Sequence, residues 1–255
     1  MKFKVLILSV FVLLSFAMCG QAKEPEYKNA AHLLVFTKTD GFRHESISSG
    51  LKMLFDQSKK QNWVITATED ASFFNNETLS KFDAVIFLNP TGDALDQNEQ
   101  AAFEAFMEEG KGMVGIHAAA DFEYEWPYYG HLVGAYFKTH PPAQEATVIF
   151  ESHDHPAMKP FEGMKSYTTF DEWYTFKENP RPNVNVLATL DENTVKKYKN
   201  DEWEMGDHPI IWWQEKDGMR TFYTGFGHTH ESFQDKKVIE HITNAINWVV
   251  KRSDK

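Results

Sequence analysis

Residues 110–121 read Gly110-Lys111-Gly112-Met113-Val114-Gly115-Ile116-His117-Ala118-Ala119-Ala120-Asp121. A short apolar run that ends in one large polar side chain and three alanines has the pattern of a buried strand turning sharply into the next element. The small residues around His117 allow that turn and project its imidazole from the strand end. Just upstream, Gly110 closes a helix that Asp96 and Glu99 open as a capping-box pair, with Phe103, Phe106 and Met107 along it. Further back, His32–Thr37, Trp63–Thr68 and Ala84–Leu88 read as strands. Ile47, Leu51, Leu54 and Phe55 recur at helical spacing between the first two. This alternation predicts an α/β fold with a doubly wound, mostly parallel sheet.

Downstream the pattern is less regular. Thr147–Phe150, Val184–Leu190, Ile210–Gln214 and Thr221–Thr224 read as strands, and Lys236–Lys251 as a closing helix with Ile239, Ile242, Ile246 and Val249 on one face. Residues 118–182 are expected to form an insertion over the carboxyl edge of the sheet.

The N-terminus reads as an export signal. Lys2 and Lys4 precede an apolar run from Val5 to Phe16, and Gly20-Gln21-Ala22 supplies small residues for cleavage. The expected organisation is a signal peptide at 1–22, a leader at 23–30 and one domain at 31–252, in a secreted or periplasmic protein. Lipidation at Cys19 is the alternative, disfavoured by the bulk of Met18. No later stretch is long and apolar enough for a transmembrane helix. Cys19 is the only cysteine, so the folded domain has neither disulfide nor thiol nucleophile. With 37 acidic against 26 basic residues, a polyanion such as nucleic acid is disfavoured as partner. Oligomeric state is not legible.

In an open α/β sheet, ligands bind beyond the carboxyl ends of the strands. The first strand is followed by Thr39-Asp40-Gly41-Phe42-Arg43-His44, the third by Asn89-Pro90-Thr91-Gly92-Asp93, the fourth by His117, and the late strand by Gly225-Phe226-Gly227-His228. Three of these four ends deliver a histidine to one edge, and that convergence says more than any single histidine. His153 and His155 alternate in a way that suits a turn or surface better than a metal site. His32, His131, His208 and His241 have no supporting context. Asp171-Glu172-Trp173-Tyr174 sets two carboxylates beside two aromatics, which suits acid–base chemistry or a solvated turn equally.

The segments 40–44, 110–119, 171–174 and 227–228, in this order, resemble the ThuA-like (trehalose utilisation) family over about Ala31 to Val250, with Lys111 standing where glycine is common. The resemblance implies a flavodoxin-like sheet similar to class I glutamine amidotransferases. In that larger fold the elbow carries a cysteine nucleophile; here it carries His117, so glutamine hydrolysis by that route is excluded. It further implies carbohydrate catabolism, acting on a 3-keto sugar or glycoside by lyase, hydrolase or isomerase chemistry. On this footing His117, Asp121 and Glu172 are the candidate catalytic residues, and Asp40, Arg43, Trp173 and Tyr174 the candidate substrate contacts. His44, His117 and His228 are candidate ligands for one divalent metal such as zinc, with Glu172 or His140 nearby. The competing reading is a non-catalytic carbohydrate-binding module that stacks sugars on Trp126, Trp173, Trp212 or Trp213.

Overall fold

The computed structural model describes residues 29–196 and 202–251; the expected signal peptide, Cys19 and nearly all of the leader lie outside the described residues. The strands are β1 Ala31–Phe36, β2 Trp63–Thr68, β3 Ala84–Leu88, β4 Gly112–Ile116, β5 Phe137–Thr139, β6 Gln144–Phe150, β7 Ser166–Asp171, β8 Thr175–Phe176, β9 Asn185–Asp191, β10 Pro209–Lys216 and β11 Met219–Thr224. The helices are α1 Ile47–Gln61, α2 Asn76–Leu79, α3 Gln97–Glu108, α4 Pro127–Val133 and α5 Lys236–Val249. Nine strands form one sheet in the order β2-β1-β3-β4-β11-β10-β9-β6-β7. From β2 to β11 all neighbours are parallel; from β11 to β7 all are antiparallel.

The parallel half is wound on both faces, as its unbroken apolar strands require. Alternate side chains go to opposite sides. Leu33, Val35, Ile86 and Ile116 join Leu54 of α1 and Ile242 and Ile246 of α5, while Leu34, Phe36, Val85 and Phe87 join Phe103 and Phe106 of α3 and Tyr129 of α4. Phe87 lies at the centre of the second layer, with the Phe36, Phe74, Phe103, Phe122 and Tyr129 rings 5.4–6.1 Å away. Truncating such a residue to alanine costs about 3–5 kcal/mol. The capping box expected at Asp96 and Glu99 is present, with both reciprocal bonds made.

The second half differs from the expectation. β6 and β7 fall inside the stretch 118–182 expected to lie over the carboxyl edge, yet they lengthen the sheet. β7 carries Ser166-Tyr167-Thr168-Thr169, exposed at alternate positions, so it lacks the apolar run that marked the other strands. The antiparallel half nevertheless returns toward the segment after β11. Tyr167 Oη donates to Asp235, and Trp173 packs on Phe226 at 6.2 Å. Among the described residues no helix is long and apolar enough to cross a membrane.

Candidate active site

The loops leaving β1, β3, β4 and β11 meet at the carboxyl edge of the parallel half. Asn89, the first residue after β3, ties them together. Its amide donates to Ser46 Oγ (3.1 Å) and to the Gly227 carbonyl (3.0 Å), and its side-chain oxygen accepts from the Ala118 N–H (3.3 Å). His117 follows β4 with φ 44°, a left-handed conformation uncommon outside glycine. The strain persists because its surroundings over-determine it. Tyr223 Oη donates to the His117 carbonyl at 2.9 Å, and the Tyr174 ring lies 4.1 Å from the imidazole. Gly227 has φ 121°, and a Cβ there would lie 2.8 Å from Ile116, so only glycine fits this passage.

The imidazoles of His44, His117 and His228 form a triangle with ring centres 5.1–5.2 Å apart. Glu172 completes the group: one ligand atom from each of the four lies within 4.8 Å of every other. Glu172 Oε2 is 3.4 Å from His117 Nε2 and 3.1 Å from His228 Nδ1. These approaches are close but not aligned as hydrogen bonds. His44 Nδ1, His117 Nε2 and His228 Nδ1 are all buried without a hydrogen-bond partner. His117 Nδ1 lies 3.2 Å from the Gly225 carbonyl, which can only accept, so Nδ1 carries the proton and Nε2 presents its lone pair to the group. A ring N–H anchored on a carbonyl while the other nitrogen points at a carboxylate and two more imidazoles is the arrangement of a metal-ligating histidine. The donor set of three nitrogens and one carboxylate fits a first-row divalent ion such as zinc.

The electrostatics agree with that fit. His44 is pushed down to about 3, chiefly by burial and then by the neighbouring imidazoles, so it is neutral and ligand-competent at physiological pH. Burial alone would raise the Glu172 carboxyl, but the imidazoles of His117, His140 and His228 around it outweigh that and hold it well below the usual carboxylate range. Its other oxygen, Oε1, takes a contact of 2.9 Å from His140 Nδ1, which also lies 2.9 Å from the Pro141 carbonyl. Both partners are acceptors, so His140 Nδ1 carries the proton and Nε2 is left as the basic nitrogen of a half-exposed ring. Hydrogen bonding to Glu172 raises His140 above the ordinary histidine value.

Asp171 is separated in role from its neighbour. Wholly buried, it accepts from Gly227 N (2.9 Å), His228 N (3.0 Å), Glu172 N (3.0 Å) and Ser232 Oγ (2.6 Å). It clamps the Glu172 and His228 segments to each other. Sequence reasoning did not single out this role, nor those of Asn89, Ser46 and Tyr223. Only Asn89, directly after a buried strand and before Pro90, carried a local signal.

Other expected residues are placed as follows. Asp121 is partly buried, raised by that burial, with Tyr124 Oη donating to it at 2.5 Å; His117 and His140 are within its electrostatic reach. Asp40 is exposed on the loop after β1. Arg43 is also exposed and pairs with Glu69 at 2.6 Å. Tyr174 is buried between His117 and Phe137, so its ring faces are taken. Trp173 is 1% exposed with its indole N–H on the Gln144 carbonyl, which leaves no face for a substrate. The same correction applies to Trp126 and Trp212, both buried with N–H groups bonded to Glu104 and Val133. Trp213 is spent on His155 and Trp248. His155 occupies a turn, as expected, but is buried rather than on the surface.

Solved structures and family comparison agree with this architecture. A ThuA-like protein from Bacteroides uniformis is 27% identical, with 88% of this chain and 94% of that chain covered and a TM-score of 0.71. A ThuA-like protein from Parabacteroides merdae shares the fold at 16% identity, covering 89% and 92% of the two chains, TM-score 0.71. A β-galactosidase from Bacillus circulans sp. alkalophilus contains the same fold at 12% identity, covering 86% of this chain and 31% of its own, TM-score 0.54. Comparison with curated proteins finds no match. Residues 32–249 match the family described as ThuA, trehalose utilisation, a span that includes all four residues of the histidine–glutamate group. The chain is a member of the ThuA family.

Proposed function

We propose that this ThuA-family protein is an enzyme that cleaves or rearranges a 3-keto sugar or glycoside, using His44, His117, His228 and Glu172 to hold one divalent metal. The observation that carries this reading is the set of three buried imidazole nitrogens without hydrogen-bond partners, gathered around one carboxylate. Buried polar nitrogens left unpaired cost about 1–3 kcal/mol each, which a ligand at their common focus offsets. The family connects the chain with carbohydrate metabolism.

A bound metal would act as a Lewis acid toward a carbonyl or enediolate oxygen. The protein's own groups supply the proton transfers. In a 3-keto glycoside the ketone acidifies the hydrogen at C2. His140 Nε2 takes that proton, while Glu172 Oε1 holds the ring and supports its positive charge. The electron pair forms the C1=C2 bond as the C1–O bond breaks. The departing oxygen takes up a proton, for which Asp121, within electrostatic reach of His117 and His140, is the candidate relay from solvent. In this reading Glu172, one of the candidate catalytic residues, acts as an orienting group and ligand. The binding-module alternative is not favoured, because Trp126, Trp173 and Trp212 are buried and half-buried Trp213 packs on His155 and Trp248.

The test is metal analysis of protein purified without chelators, together with turnover of trehalose and 3-keto-trehalose. About one equivalent of divalent ion per chain and cleavage of the keto sugar are expected. Protein that takes up no zinc at equilibrium and leaves both sugars intact would falsify this function. We further propose, from the export signal read at residues 1–22, that the protein acts outside the cytoplasm. Mass spectrometry of the mature chain should find Lys23 first; a lipid-bearing Cys19 would mean anchoring, and an intact Met1 would end the export reading.

A further inference from the structure

We infer that Phe42 is the platform on which the apolar face of a sugar ring stacks at the mouth of this site, an inference that rests on the carbohydrate reading above. With Trp126, Trp173 and Trp212 buried and half-buried Trp213 packed on His155 and Trp248, the site needs another flat apolar surface if it is to recognise a carbohydrate. Phe42 supplies one. It is 65% exposed, more than any other large hydrophobic residue among those described as exposed, and its ring centre is 5.0 Å from that of His44 at right angles. Phe55 lies on α1, and Ile149 and Phe170 lie on the β6–β7 edge, where Phe170 points to the side opposite Asp171.

An exposed phenylalanine on a slack loop would be unremarkable; the backbone that carries this one is anchored. The loop after β1 is bound to the loop after β3. Asp40 N–H donates to the Thr91 carbonyl at 2.9 Å, Thr91 Oγ1 donates to the carbonyl of Phe42 itself at 2.9 Å, and Thr39 bridges Thr91. Gly41 makes the approach possible, since a Cβ there would lie 3.2 Å from Thr91 Oγ1. The loop after β3 is in turn held by the segment after β4, through Gly92 N–H to the Asp121 carbonyl at 2.9 Å. Phe42 is thus fixed relative to both His44 and Asp121. A platform whose backbone is already held gives up less conformational entropy when a ligand covers it. The C–H faces of a pyranose suit such an apolar surface, with Asp40 and Arg43 on either side in sequence to meet its hydroxyl rim.

Isothermal titration and steady-state kinetics with trehalose and 3-keto-trehalose test this on the full mature chain. Phe42→Ala should weaken sugar binding by about tenfold, close to 1.4 kcal/mol, with the loss in KM rather than kcat. Phe42→Trp should restore it, and Phe42→Leu, apolar but without a flat face, should not. Metal content should stay at the wild-type value throughout. The inference is overturned if Phe42→Ala binds as tightly as wild type, if Leu restores binding as well as Trp, or if the loss tracks metal content. Where Phe42→Ala does not fold, the Leu and Trp pair decides. Wild-type protein that binds neither sugar at millimolar concentration defeats the functional reading itself and this inference with it. That outcome is distinct, because there the wild type is silent.

Discussion

His241 and His117 are both fully buried, and their imidazoles are served in opposite ways. His241, on α5, has both nitrogens occupied, Nδ1 by the Ala157 carbonyl at 2.9 Å and Nε2 by Thr224 Oγ1 at 3.2 Å. His208 is similar, with Glu192 and the Tyr174 carbonyl on its two nitrogens. His117 has one nitrogen anchored and the other open toward three groups that share the same focus. Burial is therefore common to the structural histidines and the candidate metal ligands. What separates them is whether the second nitrogen is spent on the fold. A lone open nitrogen is not enough either: His155 Nε2 is also unpaired, but it faces the aromatic rings of Trp213, Phe222 and Trp248 rather than other donors.

The sharpest break of this contrast is substitution at each pole. His117→Asn suits the left-handed backbone better than alanine would. Turnover of the keto sugar should fall by at least about a hundredfold and zinc should be lost, while circular dichroism stays native. His241→Asn should show the reverse, a less stable protein that keeps zinc and specific activity in its folded fraction. If His117→Asn retains metal and turnover, the distinction between the two sets collapses.

Asp171 joins the two kinds of role. Asp171→Ala would leave three backbone N–H groups without their acceptor and the Ser232 hydroxyl with Thr229 alone. A loss of about 3 kcal/mol or more is expected in urea denaturation, since each unsatisfied buried group costs about 1–3 kcal/mol. Zinc affinity should fall with it, because Glu172 and His228 lose their common support. A variant with unchanged stability would show that the clamp is not needed.

Acid should probe the structural set. Burial holds His241 down to about 4 against an ordinary 6.5. The unfolded chain therefore binds a proton between pH 6.5 and 4 that the folded chain refuses. Stability falls as pH drops through that window and levels off below it, with this residue contributing up to roughly 3 kcal/mol. His241→Gln should be less stable at neutral pH yet show a flatter decline between pH 6.5 and 4. Equal slopes would mean that His241 is not kept neutral by the fold. The smallest effect belongs to His153, exposed and resting on the Met164 carbonyl. His153→Ala should change stability by less than about 0.5 kcal/mol and leave turnover alone, as ordinary surface substitutions do.

The parallel half was legible because its central strands are buried on both faces, and an unbroken apolar run such as Ala84–Leu88 leaves little choice. The convergence of His44, His117 and His228 followed from the same reasoning, since all three lie on the segments that leave strands of the parallel half at one edge. The tryptophans were not legible. An indole suits a core, where its N–H finds a carbonyl as Trp173 finds Gln144, as well as it suits a sugar, and local sequence does not distinguish the two. Asp171 and Glu172 looked like a pair because they are adjacent, but neighbours on an extended chain point to opposite sides. One entered the site and the other its support. β7 escaped notice because a sheet edge tolerates serine and threonine where a central strand does not.

The position of β11 bears on how the molecule comes into being. It lies between β4 and β10 in the middle of the sheet, yet nearly all of the chain precedes it. Until residues 219–224 are available, β4 is an open edge whose Val114 and Ile116 have no neighbour on that side. Such a partial sheet is a template for wrong pairing and a natural client for chaperones. The same late segment brings Gly225, which sets the tautomer of His117, and then His228. A chain interrupted before that point is both sticky and chemically inert, so completion of the polypeptide, closure of the sheet and acquisition of the site coincide in one step.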